Sequence, residues 1–151
     1  NMLQGARKVI RAAGQDDTKQ LADIWLAASI KAHDFVEPAF WQARLEDMRT
    51  LYIPASECFL EEHQGRVNGF CCLVDDCLAA LFVEPDCQGQ GIGYRLLEEA
   101  KRRRRSLQLT VYKANHASVR FYQSQGFKIT AEQVDEHTGH AELCMRYDSQ
   151  G

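Results

Sequence analysis

The sequence predicts an α+β fold: a single domain built on a mixed central sheet, an antiparallel meander plus one parallel βαβ unit, flanked by helices. Three observations carry that prediction. Apolar runs at Cys58–Leu60, Gly69–Val74 and Leu78–Val83 are separated by short turn signals at Gln64-Gly65 and Asp75-Asp76, the pattern of consecutive hairpins. The third run leads through a glycine-rich loop into an amphipathic helix and then into a further run, Leu107–Tyr112, which is βαβ order and calls for parallel strands. With 151 residues, 45% hydrophobic and 26% charged, the chain has the size and balance of one globular domain.

In chain order, residues 1–7 read as a loose tail and 8–148 as the domain. Val9 and Ile10 begin an edge strand. Asp17 offers an N-cap with Gln20 three residues on, as in a capping box, and Leu21, Ile24, Trp25 and Ala28 then mark one face of a helix. Pro38 suits the first turn of a second helix, with Trp41, Leu45, Met48 and Tyr52 as its apolar stripe and Pro54 as its end. After the meander, Ile92, Leu96, Leu97 and Ala100 point one helix inward. Asn115 caps a short helix carrying Val119, Phe121 and Tyr122, stopped by Gly126. Two strands, Phe127–Val134 and Ala141–Tyr147, close the chain around a turn at His137–Gly139.

Composition excludes several classes. A net charge of -3 implies no general affinity for polyanions. The basic run Arg102–Arg105 follows Lys101 at a helix C-terminus, where cations complement the dipole, and lacks the aromatic interleaving of a nucleic-acid face. The six cysteines form no CxxC pair and no zinc-ligand spacing, and Cys58, Cys71, Cys72 and Cys144 sit among apolar neighbours. His137 and His140 flank Gly139 without a third ligand in view, so no metal is expected. No leader-like segment or bilayer-length apolar stretch is visible, and a reduced, cytoplasmic protein with no membrane partner is the expectation.

The segment Gln88-Gly89-Gln90-Gly91-Ile92-Gly93 lies between a buried strand and a helix. Glycines let the backbone approach a ligand closely, and the free amides of a helix start favour negative charge, so a phosphate or pyrophosphate is the natural guest. A dinucleotide GxGxxG motif would need glycine where Tyr94 stands, and a Walker A Gly-Lys-Ser/Thr is absent. A plain chain-reversing turn is the alternative.

The spacing Gln88-x-x-Gly91-x-Gly93 after Leu81-Phe82-Val83-Glu84-Pro85 resembles the acetyl-CoA loop of the GNAT superfamily of N-acetyltransferases. Asn115 followed seven residues later by Tyr122, within Phe121-Tyr122-Gln123-Ser124-Gln125-Gly126-Phe127, is similar to the same family, and the element order agrees from about Val9 to Tyr147. The resemblance extends to small bacterial members that include protein-lysine acetyltransferases.

That resemblance implies a cofactor and a chemistry. The strand before the loop would splay from its parallel neighbour and pair its backbone at Leu81, Phe82 and Val83 with the pantetheine arm of acetyl-CoA. The pyrophosphate would rest on the amides of Gly89, Gln90, Gly91, Ile92, Gly93 and Tyr94, beside Gln88. Asn115 would contact the cofactor, a role compatible with its N-cap. Tyr122 would be the general acid that protonates the departing thiolate, as a phenol with a pKa near 10 can; a packed core tyrosine beside Phe121 is the plainer alternative. The nucleophile would be the acceptor's own amine in a ternary complex, with the Phe82 or Val83 amide holding the oxyanion. Cys77 and Cys87 lie nearest the expected site, but no histidine pairs with either.

Some relatives carry a glutamate base five residues before the asparagine. That position here is Thr110, which cannot serve, and Asp75, Asp76, Glu84 or His33 stand as substitutes, directly or through water. Asp34, Phe35 and Glu37 would border the acceptor, with Glu46, Glu57, Glu61 and Glu62 adding acidity suited to a cationic amine such as lysine or a polyamine. A monomer or homodimer is expected. The competing readings are a degenerate acyl-CoA sensor, which Thr110 favours and Tyr122 opposes, and an interaction domain, which leaves the glycine loop unexplained.

Overall fold

The computed structural model describes residues 8–149, so the expected tail 1–7 lies outside the described residues. β1 (Lys8–Ala12) pairs antiparallel with β2 (Glu57–His63) at the sheet edge. α1 (Thr18–Ala32) buries Leu21, Ile24, Trp25 and Ala28, the stripe the periodicity predicts. Its expected capping box with Gln20 is not formed. The Asp17 carboxylate turns backward instead, accepting from the Gly14 amide at 2.7 Å and pairing with Arg11 at 2.9 Å. Asp17 is the last residue of a short 3-10 turn, Gln15–Asp17, and its helical backbone (φ -90°, ψ -17°) does not place its carboxylate over the first amides of α1.

α2 (Pro38–Gln42) starts on Pro38 as expected, but the stripe beyond Trp41 does not run on as one helix. Short turns follow at Leu45–Asp47 and, in π geometry, at Met48–Tyr52. The wider π turn shifts side chains off the α phase, so Trp41 is buried while Tyr52 is exposed.

β2, β3 (Arg66–Val74) and β4 (Cys77–Val83) form the predicted antiparallel meander. Gln64 and Gly65 both take positive φ, which matches the strand twist in a two-residue hairpin. α3 (Ile92–Arg103) buries Ile92, Leu96, Leu97 and Ala100, and β5 (Ser106–Tyr112) returns parallel to β4. α4 (His116–Ser124) is capped by the Asn115 side chain, which accepts from the Ser118 amide at 3.3 Å, and Gly126 follows with φ 92°. β6 (Lys128–Val134) and β7 (Ala141–Asp148) complete a seven-stranded sheet of order β1-β2-β3-β4-β5-β7-β6.

β3 is the buried centre. Phe70 and Cys72 face the cluster under α1 and α2, while Cys71 and Leu73 face the cluster under α3, so alternate residues feed two helix layers. Gly69 on β3 is where α3 comes closest. A Cβ there would lie 2.9 Å from the Phe82 carbonyl oxygen and 2.9 Å from Ile92 Cγ2. Gly69→Ala is therefore expected to cost about 1–3 kcal/mol of stability by overpacking. A urea titration should show a lower midpoint with an unchanged m-value; an unchanged midpoint would contradict this packing.

Cys58 and Cys72 face each other across β2 and β3 with Cα atoms 4.3 Å apart and are joined as a disulfide. This corrects the expectation of six reduced thiols. Strand register creates the pair, and sequence spacing does not reveal register. Cys71, Cys77, Cys87 and Cys144 are free. Among the described residues no helix is long and apolar enough to cross a membrane.

Candidate active site

β4 and β5 pair at one position only, Cys77 with Gln108, and part beyond it, whereas β5 and β7 stay paired from Ser106–Asp148 to Tyr112–Glu142. The resulting wedge opens into a cleft of about 1010 Å³ between the two strand edges and the starts of α3 and α4. Leu81, Phe82 and Val83 line one wall, and Leu109, Thr110 and Val111 the other. Amide directions follow from the ladder. Glu84 donates to the Asn68 carbonyl of β3 at 2.7 Å, and successive amides alternate sides, so Phe82 also turns to β3 while Leu81 and Val83 turn into the wedge. Of the two amides expected to face an oxyanion, Val83 has the suitable direction.

Gln88, Gly89, Gly91, Ile92, Gly93 and Tyr94 line the same cleft. Gly89 and Gly91 take φ of 82° and 79°, and Gly91 is the N-cap of α3. A helix start leaves its first amides without intrahelical partners, here those of Ile92, Gly93 and Tyr94. Gly93 needs no positive φ, and a Cβ there would meet Phe121 and Val83 at an ordinary 3.8 Å. The protein itself would accept a side chain at 93; only the space in the cleft calls for glycine.

Gln90 does not line the cleft. Its carbonyl accepts instead from Arg95 Nη1 at 3.1 Å. Arg95 forks onto the fully buried Glu61 with bonds of 2.6 and 3.0 Å, tying the glycine loop to β2. Lys31 from α1 reaches Gln88 Oε1 at 3.3 Å and brings a positive charge to the loop.

Tyr122 and Asn115 reach the cleft from α4. The Tyr122 ring is buried between Phe121 and Phe127, at centroid distances of 5.3 and 5.4 Å. Burial pushes its phenol above the ordinary value, so the proton stays on at neutral pH. Asn115 uses its oxygen as the α4 cap, and its Nδ2 lies 3.4 Å from His33 Nε2.

Of the four base candidates, His33 alone lines the cleft. Asp75 and Asp76 form the β3–β4 turn at the closed end of the wedge, where Asp76 accepts from Gln108. Glu84 lies just past β4, outside the lining. Cys77 is likewise at the closed end and Cys87 lines the cleft, so only one of the two cysteines is near the site. The acidity expected around the acceptor is also corrected. Glu57 pairs with Arg103 and Arg104, Glu61 with Arg95, Glu62 with Arg11 and Glu46 with Arg49. Those same bonds, with Glu99, occupy Arg102, Arg103 and Arg104 and pull Glu57 below the ordinary carboxylate range, Arg104 most. Glu142 on β7 is the carboxylate that lines the cleft, together with Ser29, Trp41 and Tyr112. The sequence offered no signal for these four beyond strand or helix membership. Phe35 packs against Tyr112 and His140 at the same end, and Glu37 stands exposed at the N-cap position of α2 without a side-chain capping bond. Among the described residues no group of three metal-ligating side chains occurs.

A wedge between parallel strands, closed by an amide-rich helix start and a protonated phenol, defines a class: acyl transferases that draw an extended CoA thioester into the sheet. Residues 54–129 match the acetyltransferase (GNAT) domain family. The chain is 30% identical to the peptidyl-lysine N-acetyltransferase YiaC of Escherichia coli (strain K12) over 80% of its own length and 84% of that protein. Its fold superposes on the solution structure of apo YjaB from Escherichia coli with a TM-score of 0.82 at 26% identity, covering 95% of this chain and 99% of that one. It also superposes on PaiA N-acetyltransferase from Thermoplasma acidophilum in complex with coenzyme A, with a TM-score of 0.77 at 16% identity over 94% and 99% of the two chains. The chain belongs to the GNAT acetyltransferase family and is an acetyl-CoA-dependent acetyltransferase.

Proposed function

We propose that the protein moves the acetyl group of acetyl-CoA directly to a primary amine in a ternary complex, and that the amine is the side chain of a protein lysine. The observation that carries the mechanism is the convergence of the Gly89–Tyr94 loop, Asn115 and Tyr122 on one cleft. The peptidyl-lysine activity named for the YiaC relative supports the acceptor class, as does Glu142 at the open end of the cleft. A polyamine or small amine would use the same chemistry.

The pyrophosphate lies on the amides of Ile92, Gly93 and Tyr94, and the pantetheine arm lies along the inward edge of β4, where the Leu81 amide is free to pair with it. The thioester carbonyl then meets the Val83 amide, which stabilises the oxyanion as the amine adds. The C–N bond forms, the C–S bond breaks, and Tyr122 gives its proton to the thiolate. Asn115 holds the cofactor arm from the opposite side.

Mass spectrometry of lysine peptides, polyamines and amino acids incubated with enzyme and acetyl-CoA tests this, with free thiol followed in parallel. Acetylated lysine with stoichiometric thiol release is expected. Tight acetyl-CoA binding without acceptor-dependent thiol would sink it in favour of the sensor reading, the one Thr110 favours.

A further inference from the structure

His33 ends α1 and is 8% exposed, its ring enclosed by Phe35, Trp41 and Tyr112 at centroid distances of 5.7, 5.1 and 5.2 Å. Its hydrogen bonding fixes the tautomer. Asn115 Oδ1 is committed to the Ser118 amide, so the group it turns to His33 is the donor Nδ2. That contact assigns Nε2 as the unprotonated nitrogen and places the hydrogen on Nδ1, which is buried without a hydrogen-bond partner. At 3.4 Å the Asn115 contact is long, and a better donor would displace it. Two further polar atoms, Ser29 Oγ and Trp41 Nε1, are buried without a hydrogen-bond partner, and both residues line this same end of the cleft. Buried polar groups left unpaired in this way are what a polar ligand would satisfy.

We propose that His33 is the general base of the reaction, its Nε2 taking a proton from the acceptor's ammonium group at the aromatic end of the cleft. The role rests on the reading of the cleft as an acetyltransferase site. Burial lowers the imidazole's pKa below its ordinary value, with the Ser29 carbonyl opposing, so the ring is neutral and able to accept at pH 7. The other titratable groups at this end are Lys31 on the same helix, Tyr112 with Asp135 behind it, His140 across Phe35, and Glu142 on β7. Burial rather than any of their charges sets the titration.

Protons balance as follows. The ammonium loses its first proton to His33 Nε2, which passes it to water. The free amine attacks the thioester carbon. The nitrogen's second proton leaves once the C–N bond has formed and replaces the one Tyr122 gives to the departing thiolate. Amide, free thiol and one released proton result. Burial at this end assists by desolvating the ammonium, which lowers the amine's pKa toward that of the base against the pull of Glu142 and of the ring faces.

The test is the pH dependence of kcat/KM for a lysine peptide, wild type against His33→Gln. Gln keeps an acceptor for Asn115, and acetyl-CoA affinity is measured alongside to establish that the fold is intact. Wild-type kcat/KM should rise through an inflection below pH 6.5 and level off. The variant should be about 100- to 1000-fold slower at pH 7 and climb with unit slope toward about pH 10, where the amine deprotonates unaided. A uniform loss at every pH, or an unchanged profile, overturns the role while leaving the transferase reading in place. Absence of any acetylation by the wild type overturns both. Independently, ¹⁵N NMR of the wild-type imidazole should show the Nδ1–H tautomer at pH 7; a protonated ring or the Nε2–H tautomer would overturn the assignment.

Discussion

Tyr122→Phe is expected to lower kcat by about 100- to 1000-fold while leaving acetyl-CoA affinity nearly unchanged. Phe preserves the edge-to-face packing with Phe121 and Phe127, so the substitution removes one hydroxyl and little else. The buried phenol is a weaker acid than usual, which keeps its proton in place but reduces its drive to give it up. In the proposed mechanism the thiolate it would protonate forms in the same desolvated wedge, where its own basicity also rises, so the two shifts run together. Leaving-group dependence separates this role from packing. An acetyl thioester of a more acidic thiol needs less help, and the variant should lose less with it than with acetyl-CoA. Equal losses with both thioesters would remove Tyr122 from proton transfer.

Arg95→Met is expected to lower stability by about 3 kcal/mol and to weaken acetyl-CoA binding with it. Glu61 is 1% exposed, and its two bonds from Arg95 compensate its burial. Removing the guanidinium strands a carboxylate in the interior, and breaking a buried pair from one side costs about 3–5 kcal/mol; Arg95 is 35% exposed, which favours the lower end. Because Arg95 also holds the Gln90 carbonyl, the glycine loop loses its tether to β2. The double variant Glu61→Leu/Arg95→Met distinguishes the two effects. It should regain most of the melting temperature, since no charge is left buried, yet bind acetyl-CoA weakly. Full recovery of binding would show that the tether does not matter.

Local signals made much of this molecule legible. The two-residue turns, the Ile92–Ala100 stripe, the Asn115 cap and the Gly126 stop are each specified within one or two helical turns of chain, and the structure contains all of them. The glycine loop is equally visible because its conformational demands, at Gly89 and Gly91, fall within three residues. What escaped depends on pairing across distance. Cys58 meets Cys72 only through β2–β3 register, and Arg95 meets Glu61 across 34 positions. Asp17 does not cap α1 because it closes the preceding turn and pairs with Arg11 on another element. Glu46, Glu57, Glu61 and Glu62 illustrate the same point: composition reveals their number, and only the fold shows that arginines occupy them. His33 could be nominated from sequence, but choosing it over Asp75, Asp76 and Glu84 required knowing which end of the wedge is open.

The single rung between β4 and β5 leaves a seam through the middle of the sheet, with inward amides at Leu81 and Val83 that have no backbone partner among the described residues. In the proposed binding mode a cofactor arm lying in that seam would supply the missing strand, so part of the molecule's cohesion would come from its own substrate. By mass action a donor present at a hundred times its dissociation constant adds about 2.7 kcal/mol to the native state. On that mode of binding the enzyme's stability would be coupled to its supply of donor through the same strands that the chemistry needs.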